Sequence, residues 1–122
     1  MEALKYRNDI VKRPWGHYQI IETSKKYQTK EIIVSPQKRL SLQKHKKRDE
    51  LWTILKGKAE VLLDDKKLHL VKGDKVFIPR NSLHRVKNIG KKNLIIKELQ
   101  TGEYFGEDDI IRLKDDYGRV WI

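Results

Sequence analysis

Gly73-Asp74-Lys75-Val76-Phe77-Ile78-Pro79-Arg80-Asn81-Ser82-Leu83-His84-Arg85-Val86-Lys87-Asn88 is the stretch from which the fold of this chain is read. Lys72-Gly73-Asp74 is a tight turn, with glycine supplying the backbone freedom. Val76-Phe77-Ile78 is a short strand, and it stops at Pro79, which has no N–H to give to a sheet. The chain then resumes as a strand from Leu83 to Asn88 with His84 on it. Asn88 closes that strand with a side chain suited to backbone groups at a turn.

The same punctuation runs outward in both directions. Gly16 to Glu22 reads as a strand in which Tyr18 and Ile20 alternate against Gln19 and Ile21. Thr29 to Val34 is another, with Lys30, Ile32 and Val34 on one face and Glu31 and Ile33 on the other, ended by Pro36. Glu50 to Leu55 and Lys58 to Leu63 flank Lys56-Gly57, which carries the signal of a hairpin. Asp64-Asp65-Lys66 is a second tight turn, followed by Leu68 to Val71. Asn93 to Gln100 follows the Gly90 turn. Helical signals are few. Gly106 to Leu113 predicts one helical turn, acidic at its start and with Arg112 towards its end, as the helix dipole favours. Short, evenly spaced strands predict a sandwich or barrel in an all-β single domain spanning 1–122, with its core at about 12–119.

Composition narrows the chemistry. With 122 residues the chain can bury a core without staples. It has no cysteine, which excludes disulfides, thiol catalysis and thiolate metal sites. No apolar run approaches the ~18 residues of a membrane helix, and Met1-Glu2-Ala3-Leu4-Lys5-Tyr6 is too polar for the apolar region of a signal peptide. A cytoplasmic location is the expectation. The net charge of +11 favours anionic ligands.

Leu40-Ser41-Leu42-Gln43-Lys44-His45 contains the first chemical constellation. In an extended strand Ser41, Gln43 and His45 share a face, away from Leu42 and Lys44. Glu50 opens the next strand, and His84 lies on a later one. Two imidazoles, a carboxylate and an amide oxygen make a mixed nitrogen and oxygen donor set, suited to zinc, manganese, iron, nickel or cobalt rather than copper(I). Spacing alone does not select His45 and His84 from the four histidines. His17 and His69 receive no role, and His69 between Leu68 and Leu70 is expected to face outward.

The frame around these residues resembles the two cupin motifs. One runs from the His45 region through Glu50 to Gly57, the other from Gly73 through Pro79 and His84 to Asn88. A narrower resemblance is carried by Arg13-Pro14-Trp15-Gly16, Leu40 to His45, Arg48-Asp49-Glu50-Leu51-Trp52, Ile78 to Arg85, Glu98 to Arg112, and Tyr117-Gly118-Arg119. These look like the type II mannose-6-phosphate isomerase family, which also forms the C-terminal domain of bifunctional mannose-6-phosphate isomerase/mannose-1-phosphate guanylyltransferases. The resemblance implies a jelly-roll β-barrel and one divalent metal on Gln43, His45, Glu50 and His84. The chain departs from the family at Leu51, where His is common, and at Pro36-Gln37, where Pro-Gly is common; neither position is a ligand. No nucleotidyltransferase half is present, so guanylyl transfer is not expected.

The implied reaction interconverts mannose 6-phosphate and fructose 6-phosphate. It needs an electrophile at O1 and O2 and a proton carrier near C1 and C2. Glu50, Asp108 and Glu107 are the side-chain candidates for the carrier, and a metal-bound water is another. Arg112 and Lys30 are the first choices for the phosphate, with Arg48 and Arg119 behind them. Tyr104 is a candidate for a sugar hydroxyl. Two readings compete. One is another cupin activity, either isomerisation of glucose 6-phosphate or binding without turnover. The other takes Lys44-His45-Lys46-Lys47-Arg48 as a nucleic-acid patch, but the run lacks interleaved aromatics for stacking. The expected partner is therefore a small phosphorylated sugar, with no nucleic acid and no membrane. A homodimer is expected, with Trp15, Trp121 and Ile122 as candidate anchors.

Overall fold

The computed structural model of the chain describes residues 5–6 and 10–118. Twelve strands lie among them: β1 (Lys5–Tyr6), β2 (Ile10–Arg13), β3 (Gly16–Thr23), β4 (Tyr27–Val34), β5 (Leu42–Lys44), β6 (Arg48–Lys56), β7 (Lys58–Leu63), β8 (Lys66–Val71), β9 (Lys75–Ile78), β10 (His84–Asn88), β11 (Leu94–Gly102) and β12 (Ile111–Lys114). They form two antiparallel sheets. The larger runs β1-β3-β4-β11-β6-β9 with β2 beside β3; the smaller runs β12-β5-β10-β7-β8. This is the expected all-β jelly roll.

Lys56-Gly57 does not make the expected hairpin. β6 pairs with β9 and β11 in the larger sheet, while β7 pairs with β8 and β10 in the smaller. The turn is a corner at which the chain changes sheet. Gly57 sits at φ +96°, and a Cβ there would lie 3.1 Å from both the Asn93 carbonyl oxygen and Leu94 Cα. A corner and a hairpin use the same turn residues, so only pairing tells them apart. Asp64-Asp65 does close a hairpin, with Leu63 opposite Lys66.

The predicted helical turn is also shorter than expected. A three-residue 3-10 turn covers Glu107–Asp109, and β12 begins at Ile111. Arg112 stands opposite Gln43 on the edge of the smaller sheet. Ile110-Ile111 favours extended backbone over helix, and β5 offers an edge to pair with.

Register explains where the site falls. Three neighbouring strands, β4, β11 and β6, place their inward residues in aligned rows. Ile32, Ile96 and Ile54 form one row; Lys30, Glu98 and Trp52 the next; Gln28, Gln100 and Glu50 the third. All nine are buried. One half of the sandwich interior is therefore apolar, continued by Val34, Leu94, Val61 and Val86. The other half is lined with polar groups. Buried polar groups are tolerated only when partnered, and the candidate site is where these find their partners. Trp15, expected as an interface anchor, is packed into the chain's own core. Trp121 and Ile122 lie outside the described residues. No helix among the described residues is long and apolar enough to cross a membrane.

Candidate metal centre

Period-2 alternation on β6 drives Arg48, Glu50 and Trp52 inward together. Glu50 is 2% exposed. His84 opens β10 and stands opposite Gln43 of β5, and His45 follows β5 by one residue. Gln43, His45, Glu50 and His84 line one cavity.

The imidazoles are oriented from behind. His45 Nδ1 lies 3.0 Å from the Asp109 carbonyl oxygen, and His84 Nδ1 lies 3.0 Å from the Ser82 carbonyl oxygen. A carbonyl can only accept, so each Nδ1 donates a proton and each Nε2 presents a lone pair. His45 Nε2 is 3.2 Å from Glu50 Oε2, and His84 Nε2 is 3.7 Å from Glu50 Oε1. Burial, followed by Arg48 and His84, pushes the His45 imidazole down to about 3, so it is neutral. Donor atoms of His45, Glu50 and His84 lie within 4.8 Å of one another. Three groups that converge in this way could hold a metal ion between them. Ligand imidazoles backed by carbonyls are the usual support of a metal site. The donor set therefore fits a divalent metal, with the Gln43 amide beside it.

Arg48 crowds the same cluster. Its Nε donates to Glu50 Oε2 at 2.9 Å, and its Nη2 lies 3.3 Å from His45 Nε2. Burial opposes the charge on Glu50, but Arg48 and then His84 outweigh it and keep the carboxyl below its ordinary value.

A second carboxyl, missed in the sequence reading, lies beside it. Trp52 Nε1 donates to Glu50 Oε1 at 3.1 Å and to Glu98 Oε1 at 2.9 Å. Gln100 Nε2 donates to Glu98 Oε2 at 2.7 Å, and Gln28 Nε2 donates to Gln100 Oε1 at 2.9 Å. Burial and the neighbouring Glu50 push the Glu98 carboxyl up to about 7. The signal for Glu98 was available: alternation along Leu94, Ile96, Glu98 and Gln100 puts it on the inward face.

Lys30 reaches into the cavity as its alternating face implied. Its Nζ lies 2.6 Å from Glu107 Oε1 and 4.4 Å from the centre of the Tyr18 ring. Burial works against the Glu107 charge, yet Lys30 and then Arg48 hold its carboxyl at about 2. Arg112 also lines the cavity, as does Arg13. Asp108 and Tyr104 are placed elsewhere. Both are exposed, they hydrogen-bond to each other, and neither lines the cavity. The 3-10 turn sends Glu107 inward, which rotates Asp108 away. Arg119 lies outside the described residues. His69 is exposed near Glu60.

A two-sheet jelly roll with a His, Glu and His cluster inside its polar half defines a cupin. The chain superposes on the RmlC-like cupin from Shewanella frigidimarina with a TM-score of 0.71 at 16% identity, covering 83% of this chain and 87% of that one. Residues 2–115 match the family described as Mannose-6-phosphate isomerase C-terminal, and the chain belongs to that family. It is 48% identical over 110 residues to the alginate biosynthesis protein AlgA of Pseudomonas aeruginosa, covering 90% of this chain and 23% of that protein. It is 39% identical over 110 residues to the mannose-1-phosphate guanylyltransferase ManC of Salmonella typhimurium, with coverage of 90% and 23%. The chain thus spans about a quarter of the length of these relatives.

Proposed function

We propose that this domain isomerises mannose 6-phosphate and fructose 6-phosphate at a divalent metal held by His45, Glu50, His84 and Gln43. The observation that carries the reading is the meeting, in one cavity, of the three-acceptor cluster with the cations Lys30, Arg48 and Arg112. Family membership supplies the substrate class.

A bound metal supplies Lewis-acid stabilisation of charge on the substrate oxygens. The protein's own groups do the rest. Arg112, with Arg13 lining the same cavity, is assigned to the phosphate, since a guanidinium matches that anion's geometry. Moving a proton between C1 and C2 needs a base within reach of the sugar, and the candidates among the side chains are carboxylates. Both oxygens of Glu50 face ligand histidines, with Arg48 and Trp52 bonded to them. Glu98 is bonded between Trp52 and Gln100. Glu107, ionised at the cavity wall and outside the ligand cluster, is assigned the proton transfer. Lys30 holds it in place. A homodimer in the cytoplasm belongs to the same reading; the exposed Leu55 and Phe77 on the outer face of the larger sheet support a surface for a second copy.

The test is a coupled isomerase assay on metal-loaded protein with mannose 6-phosphate, fructose 6-phosphate and glucose 6-phosphate. Turnover of the first two is expected, with kcat falling about 10²–10⁴-fold in Glu107→Gln. Turnover of glucose 6-phosphate alone would move the substrate to a different hexose. No turnover of any of the three would overturn the isomerase reading.

A further inference from the structure

One acidic residue bonds at three points to His45 and to the turn that follows it. The Asp109 carbonyl oxygen accepts from His45 Nδ1 at 3.0 Å. Its carboxylate accepts from the backbone N–H groups of the next two residues, Lys46 at 3.1 Å and Lys47 at 2.9 Å. Together these bonds grip the turn that joins β5 to β6, the strands on either side of His45. The Asp109 N–H in turn donates to the Gly106 carbonyl at 3.1 Å, which closes the 3-10 turn and fixes the direction of its carboxylate.

We infer that Asp109 is a positioning residue for the metal, acting through His45. Its carbonyl selects the tautomer in which His45 Nε2 carries the lone pair. Its carboxylate pins the turn so that this lone pair faces Glu50. The carbonyl belongs to the backbone and survives any substitution; pairing of Ile111 with Lys44 holds the segment on one side of it, and the carboxylate's bonds to Lys46 and Lys47 hold it on the other. Glu107 sits two residues earlier on the same turn and reaches Lys30. Asp109 therefore also ties the placement of the cavity's mobile-proton carboxylate to the placement of a ligand. The inference rests on the metal reading of the site and does not require the sugar.

The experiment titrates cobalt(II) into the purified chain and its variants, following binding by visible absorption and calorimetry. Histidine ring ¹⁵N resonances are recorded before metal is added. Asp109→Ala is expected to weaken cobalt(II) binding by about 10–100-fold, the usual loss when a ligand's supporting partner is removed. Its His45 ring is expected to shift from the Nδ1–H form to a mixture of tautomers, while His84, backed by Ser82, stays unchanged. Asp109→Asn retains one acceptor oxygen and is expected to fall between Ala and wild type. Asp108→Ala, altered one residue away on the exposed side, is expected to match wild type.

Unchanged affinity and an unchanged His45 tautomer in Asp109→Ala would overturn the inference. Equal losses in Asp108→Ala and Asp109→Ala would overturn it too, by showing that the segment acts only through packing. If Asp109→Ala fails to fold, the Asn variant decides: a His45 tautomer and affinity identical to wild type overturns the proposal. Wild-type protein that binds cobalt(II) but turns over no hexose phosphate leaves the inference standing and removes only the isomerase reading.

Discussion

Lys30 and Glu107 show how a buried charge is made tolerable in this protein. The Lys30 ammonium is 5% exposed and would be costly alone, yet it has a carboxylate at 2.6 Å and an aromatic face below it. The linkage sign follows from Glu107. Its folded carboxyl titrates at about 2, below its ordinary 4.5. The stability this pair contributes is therefore complete above 4.5 and is lost as the pH falls towards 2. Urea unfolding of wild type and Glu107→Gln across that range is expected to show a gap in stability that closes as the solution is acidified. A gap that stays constant would mean that Glu107 is not held ionised by Lys30. At the same scale, Glu98 and Asp109 mark how far a side chain near the candidate site can be read from the sequence. Glu98 was legible through alternation, because its neighbours Leu94 and Ile96 face inward. Asp109 was not, because the amides it binds lie more than sixty residues away in sequence.

Corners decide the architecture at the scale of elements. Gly57, Gly73 and Gly90 each stand where the chain leaves one sheet for the other. Gly57 and Gly73 share a left-handed backbone, at φ +96° and +93°, but differ in their surroundings. At Gly57 a Cβ meets backbone atoms of Asn93 and Leu94 at 3.1 Å, whereas at Gly73 nothing lies within 4 Å. Gly73→Ala is expected to cost about 1 kcal/mol, from backbone conformation alone. Gly57→Ala is expected to cost roughly 1–3 kcal/mol, because the β10–β11 corner must also give way. Thermal unfolding of both variants checks the order, and equal losses would show that the Asn93–Leu94 backbone yields freely. The corner at Gly57 was read as a hairpin because local turn chemistry is common to both; which strands pair afterwards is a matter of the distant partners β10 and β11.

Taken whole, the molecule draws the candidate metal donors from both sheets. Glu50 comes from β6 of the larger sheet, and His84 and Gln43 come from β10 and β5 of the smaller. An ion bound there would join the two layers, and binding to the folded state alone stabilises it by mass action, about 2.7 kcal/mol at a hundredfold excess over Kd. Metal-loaded protein is expected to melt several degrees higher than chelator-treated protein. His84→Ala is expected to melt at one temperature with or without chelator. A chelator shift of wild-type size in that variant would place the metal elsewhere.

Strands β1, β2 and β12 were not legible in the sequence, whereas most strands from Gly16 to Gln100, the turn residues, the facing of side chains and the donor types were present in the residues themselves. They depend on period-2 geometry and on the local chemistry of glycine, proline and asparagine. So were Gln43, His45, Glu50 and His84, through a resemblance extending over nearly the full chain. Folding alone settled which polar residues meet. The aligned rows of β4, β11 and β6 put Glu98 beside Glu50 and Lys30. The 3-10 turn sent Glu107 inward and Asp108 out, and brought Asp109 behind His45. Alternation assigns each side chain a face, but register between strands far apart in sequence decides which side chains share that face at the same depth.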